Sequence, residues 1–119
     1  MDAPESKREL PLFVHWVDFL GWLLPATEKF PKKVRFTFST RIDNLALDLL
    51  EDVVEARYTR EKGTILRRAN LRLEKLRVLI RICHAQRYLP TAGYEHASRR
   101  IDEAGRMLGG WIKQQGARA

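Results

Sequence analysis

Phe13, Trp16, Leu20, Leu23, Thr27 and Phe30 recur at three-and-four spacing, the stripe of an amphipathic helix over about residues 11–30. Pro25 falls inside that stripe and removes a backbone donor, so a kink or break is expected near Gly21 to Leu24. A second stripe, Val34, Phe38, Ile42, Leu45, Leu49, Val53 and Ala56, predicts a long helix over 32–61. Its start, Val34 to Phe38, also alternates with period two, but no pairing strand is in view and helix is the reading kept. Lys62-Gly63 supplies the stop, with the glycine expected in the left-handed conformation.

Thr64 is the expected cap of a third helix over 65–88, with Leu66, Ala69, Leu73, Leu76, Ile80 and Cys83 on one face. Pro90 closes it, and Thr91 caps a fourth over 92–115 with Tyr94, Ala97, Ile101, Ala104, Leu108 and Trp111 inward. Residues 1–9 and 116–119 are expected as loose tails. The chain of 119 residues is therefore expected to form a single all-α domain, an antiparallel up-down-up-down four-helix bundle, which buries every stripe with short connections.

Two faces are left over. Helix one adds Val14, Val17, Phe19, Trp22 and Leu24 beyond one stripe, and helix three adds Leu71, Val78, Leu79 and Ile82. Either these faces serve self-association or a docked protein, or the bundle closes tightly as a monomer. Gly105 and Gly109, one turn apart, permit close helix approach.

Charge adds a direction. The net charge is +7, and residues 63–119 hold 12 Lys/Arg against 4 Asp/Glu. Such a surface favours an anionic partner, nucleic acid first, with an acidic protein or anionic membrane as alternatives. A single cysteine, Cys83, excludes an internal disulfide framework and fits a reducing, cytoplasmic setting. No signal-peptide pattern opens the chain, and the apolar stretch from Leu10 to Leu24 is interrupted by His15 and Asp18, so no membrane span is expected. The histidines stand one per helix without evident partners, and the acids Asp43, Asp48, Glu51 and Asp52 are read on the solvent side of helix two. No catalytic residue, metal site or cofactor is expected, and the chain reads as a non-enzyme.

The arginines carry the functional reading. Arg67, Arg68, Arg72, Lys75, Arg77, Arg81 and Arg87 share helix three with one acid, Glu74. Intrahelical pairing can neutralise little of that charge, which leaves either a solvated face, pairing with acids of helix two, or contacts to phosphate. Arg67, Arg68 and Arg72, together with Lys32, Lys33 and Arg35 at the start of helix two, are assigned to nucleic acid on charge grounds.

Several short motifs follow one another in order: Leu23-Leu24-Pro25, Phe30-Pro31-Lys32-Lys33, Leu76-Arg77-Val78-Leu79-Ile80-Arg81-Ile82, and Gly105-Arg106-Met107-Leu108-Gly109-Gly110-Trp111-Ile112. Together they resemble the accessory variability determinant proteins of diversity-generating retroelements over most of residues 11–113. The resemblance implies a four-helix bundle assembled as a homopentameric barrel. It further implies a non-catalytic partner of a reverse transcriptase that supports mutagenic copying of a template-repeat RNA into cDNA, with Arg77 and Arg81 facing the polymerase. A sister family, the bundle proteins encoded in intervening sequences of ribosomal RNA genes, implies instead a free-standing RNA-binding bundle; the Gly-Gly-Trp-Ile ending is more similar to the retroelement side.

Overall fold

The computed structural model describes the backbone of residues 3–118 and the side chains of residues 11–116. Among these are four α-helices and no strand: α1 (Ala3–Glu28), α2 (Thr40–Tyr58), α3 (Gly63–Ala85) and α4 (Thr91–Arg118). Between α1 and α2 lie a 3-10 turn, Lys32–Val34, and a π-helical turn, Arg35–Ser39. The packed helix pairs are α1 with α2, α2 with α3, α3 with α4, and α4 with α1, which closes a four-helix bundle of 46 × 23 × 19 Å around one core.

The inward faces follow the periodicity of the chain. All six predicted positions of α3 are buried, as are Ala97, Ile101, Ala104, Leu108 and Trp111 of α4; Tyr94 is half-buried. On the first stripe five of the six predicted positions are buried, Trp16, Leu20, Leu23, Thr27 and Phe30, joined by Leu12 and Phe19; Phe13 is exposed instead. The indole of Trp16 explains the choice, because its Nε1–H donates to the Ala46 carbonyl at 2.8 Å and fixes that edge of α1 against α2.

Several boundaries differ from expectation for local reasons. α1 runs through Pro25 to Glu28 without a break. It also starts at Ala3, where Pro4 occupies a first turn that needs no amide donor. Of the tails expected to be loose, 3–9 and 116–118 are helical, and residues 1, 2 and 119 lie outside the described residues. Gly63 takes no left-handed conformation and begins α3 instead of ending α2. α2 ends because Thr59 turns extended, and Lys62, only 4 % exposed, caps it: its Nζ donates to the carbonyls of Ala56 and Thr59, both at 2.8 Å. Thr64 caps nothing; no side-chain cap bonds the start of α3.

α3 stops three residues short of expectation, in a Schellman turn. Tyr88 N–H reaches the Cys83 carbonyl at 2.8 Å and Arg87 N–H the His84 carbonyl at 3.0 Å, with Arg87 in the left-handed region at φ 65°. Arginine carries a Cβ penalty there that glycine does not. Arg87→Gly is expected to stabilise the fold by about 0.5–1 kcal/mol and raise the melting temperature by a few degrees in a thermal scan. An unchanged or lower midpoint would show that the arginine side chain itself holds the turn.

Two glycines permit close approach. A Cβ at Gly93 would meet Leu89 Cδ1 at 2.9 Å, and one at Gly105 would lie 3.5 Å from Leu73, where α4 presses on α3. Gly109, its expected companion, faces open space.

Candidate functional site

The basic side chains fall into three groups with different surroundings. The first is bound within the fold. Asp52, read from the sequence as solvent-facing, is 3 % exposed, because it follows Leu49 by three positions and precedes Ala56 by four on the inward side of α2. Arg68 donates to its Oδ1 through Nε at 3.0 Å and Nη2 at 2.7 Å, and also to Glu55 at 3.0 Å. Arg72 donates to Oδ2 at 2.5 Å. Hydrogen bonding to Asp52, then its charge, holds the Arg68 guanidinium further into its protonated range than usual. The charge of α3 is thus partly answered across the bundle, and Arg68 and Arg72 lock α2 to α3.

The second group is Arg77 and Arg81, which the structure does bring together. Both line a cleft of about 300 Å³ between α3 and α4, with Val78, Tyr94, Ser98 and Asp102 among its walls. Arg77 is engaged by Asp102 and lies 3.6 Å from Glu74. Arg81 is exposed and has no ion pair among the described residues. Of the two, Arg81 is the one whose guanidinium remains available to an outside carboxylate or phosphate.

The third group is Lys32, Lys33 and Arg35, all exposed on the 3-10 and π-helical turns and without ion pairs among the described residues. Phe30 and Phe38 both contact Tyr88, with ring centroids 6.3 and 6.0 Å apart, so this cluster shares an end of the bundle with the Schellman turn and Arg87. Arg67 stands apart from it, in the second turn of α3 beside the C-terminal turns of α2, roughly 28 Å away by the rise of a 19-residue helix.

The sequence reading overlooked two exposed aromatics. Phe36 is 81 % exposed and Tyr58 is 79 % exposed, the latter under the guanidinium of Arg57 at 5.7 Å. Phe36 belongs to neither three-and-four stripe, which was the available signal. The surplus apolar faces are present: Phe13, Val14, Val17 and Leu24 stand exposed on α1, and Leu71, Val78 and Ile82 on α3.

Other chemistry is accounted for within the fold. Cys83 is buried, and burial pushes its thiol up to about 11, which leaves a small hydrophobe at neutral pH. His15 contacts the Arg100 carbonyl at 2.7 Å, His84 stacks on Tyr94 at 4.3 Å, and His96 lies 4.6 Å from the ring of Trp22. Among the described residues no three His, Cys, Asp or Glu side chains gather where they could hold a metal ion, and no helix is long and apolar enough to cross a membrane.

Among curated proteins none matches this chain. The family model described as bAvd-like matches residues 14–115, which takes in all three basic groups, the surplus apolar faces except Phe13, and the whole α3–α4 cleft. With that match and the four-helix bundle in agreement, the chain belongs to the bAvd-like family.

Proposed function

We propose that the protein is a non-catalytic accessory subunit of a diversity-generating retroelement, which holds the reverse transcriptase and its template RNA or cDNA together during mutagenic copying. The observation that carries this reading is Arg81, exposed and without an ion pair among the described residues, beside Val78 and Ile82 within a chain of the bAvd-like family. A guanidinium bordered by apolar side chains offers a protein partner both burial and a directed contact to carboxylate. Lys32, Lys33 and Arg35 are the proposed nucleic-acid contacts, with Arg67 as a separate, more distant one. Arg68 and Arg72 contribute through the geometry of α3, since Asp52 already holds them.

In this reading the helices run up-down-up-down and antiparallel, and five copies form a ring in which the apolar face of α1 meets that of α3 in a neighbour. An unlike pair of faces is what a ring of more than two copies requires. Light scattering should then give five times the 13.9 kDa chain mass, and a monomer mass would refute the ring.

Co-purification with a reverse transcriptase of a diversity-generating retroelement tests the polymerase assignment. Arg77→Ala/Arg81→Ala should reduce retained polymerase at least about tenfold, the effect of removing one or two charge-assisted hydrogen bonds. Arg81→Ala alone should account for most of that reduction, because Arg77 is shared with Asp102 and Glu74. Undiminished retention by a folded double variant would overturn the assignment. Salt-dependent RNA binding with no polymerase captured by the wild type would favour the free-standing bundle of the intervening-sequence type.

A further inference from the structure

Among the described residues Phe36 is the most exposed of the large apolar side chains, at 81 %, yet it stands on an anchored segment. Val34 on one side and Ser39 on the other are buried, Thr37 Oγ1 donates to the Val34 carbonyl at 3.3 Å, and Ser39 Oγ donates to the Thr27 carbonyl at 3.2 Å. The π-helical turn sends Val34 and Phe38 toward the core and Phe36 outward, so the core neither needs nor covers this ring. Burying a phenylalanine is worth about 1.5–3 kcal/mol, which the isolated chain forgoes here.

What could cover the ring is restricted by its neighbours. Lys32, Lys33, Arg35 and Arg41 are exposed and have no ion pair among the described residues. The nearest acids along the chain are Glu28 and Asp43, and Asp43 is half-buried and accepts a hydrogen bond from Thr27 at 2.7 Å. A second copy docking through this same patch would set Lys32, Lys33, Arg35 and Arg41 against their own counterparts, like charge to like charge. Single-stranded nucleic acid meets both demands at once, with phosphates for the cations and an unpaired base for the ring.

We infer that Phe36 is a stacking platform for an unpaired base, flanked by phosphate contacts from Lys32, Lys33 and Arg35, and that this end of the bundle selects single-stranded over duplex nucleic acid. The inference rests on the nucleic-acid reading above and gives it a ligand class. Duplex bases are already stacked and offer no free face to the ring.

The test is fluorescence anisotropy with the full chain and a labelled oligouridylate of about a dozen nucleotides, beside an abasic strand of equal length. Phe36→Ala should weaken oligouridylate binding about 5- to 150-fold, the range of one base–aromatic stack. Phe36→Leu should behave like alanine, and Phe36→Tyr should stay within about threefold of wild type, since stacking needs a π face rather than apolar bulk. The salt dependence should not change, and on the abasic strand the alanine variant should match wild type. Equal oligouridylate affinities for Phe36→Ala and wild type would overturn the inference, as would an equal weakening on the abasic strand. If Phe36→Ala instead lowers the oligomer mass or polymerase capture while leaving oligonucleotide affinity intact, the ring is a protein contact and stacking is wrong. A wild type without salt-dependent binding to any strand would remove the nucleic-acid reading itself, an outcome distinct from all of these.

Discussion

Replacing Arg68 and Arg72 together by alanine is expected to destabilise the fold by about 3–5 kcal/mol, the cost of leaving a buried carboxylate without its cations. For a 119-residue domain that is a large part of the whole, since the net stability of a chain this size is roughly 6–18 kcal/mol. Each arginine alone should cost less, because the other still faces Asp52 from its own oxygen: Arg68 at Oδ1, Arg72 at Oδ2. Asp52→Ala should also cost less than the double variant, because both guanidinium groups are partly exposed, 42 % and 26 %, and can turn to water. Chemical denaturation of the four proteins measures this ordering. An all-apolar replacement, Asp52→Leu/Arg68→Met/Arg72→Leu, should lie close to wild type or above it, because removing every partner at once leaves no orphaned charge. If the double arginine variant unfolds at wild-type denaturant concentration, Asp52 has another partner and the cluster does not lock α2 to α3.

That cluster shows where sequence reasoning reached and where it stopped. A strict stripe needs only one residue type at one spacing, which is why the six inward positions of α3 were legible. On the first stripe the same argument found Trp16, Leu20, Leu23, Thr27 and Phe30 but put Phe13 inside and left Phe19 off the stripe. A helix with Phe13, Val14, Trp16, Val17, Phe19 and Leu20 in succession offers several faces of similar hydrophobicity, and the Trp16–Ala46 hydrogen bond that selects one of them joins residues 30 apart in the chain. Asp52 was missed because acids are placed on solvent faces by default, although its spacing from Leu49 and Ala56 marks it as inward. Its partners lie 16 and 20 residues further on, beyond any local window.

The first turns of the second helix were ambiguous for a different reason. Val34, Phe36 and Phe38 would share one face of a strand, whereas the helical path puts the middle ring on the opposite side from its neighbours. Local periodicity cannot choose between them. Packing does: Val34 is buried and Phe38 meets Tyr88 from the turn that follows α3. The same choice that completes the core exposes Phe36 between basic side chains.

Lys32→Ala/Lys33→Ala/Arg35→Ala should do the reverse of the arginine double variant, with little effect on stability and a large one on nucleic-acid binding. All three side chains are exposed and unpaired among the described residues, so their removal breaks no ion pair and relieves like-charge crowding. Removing each cation that meets a phosphate should lower the slope of log affinity against log salt by about 0.7 for a single strand, hence by about 2 in total. Carried from a 1 M reference to 0.15 M salt, that slope change corresponds to roughly 50-fold weaker binding. Titration of single-stranded RNA at several salt concentrations measures both quantities, and the melting temperature should stay within about two degrees of wild type. An unaltered slope would place the phosphates elsewhere, with Arg67 beside the C-terminal turns of α2 as the next basic group to test. The two variants together separate the roles of charge in this chain. Arginines that face Asp52 should register in denaturant and hardly in salt, whereas the cations around Phe36 should register in salt and hardly in denaturant.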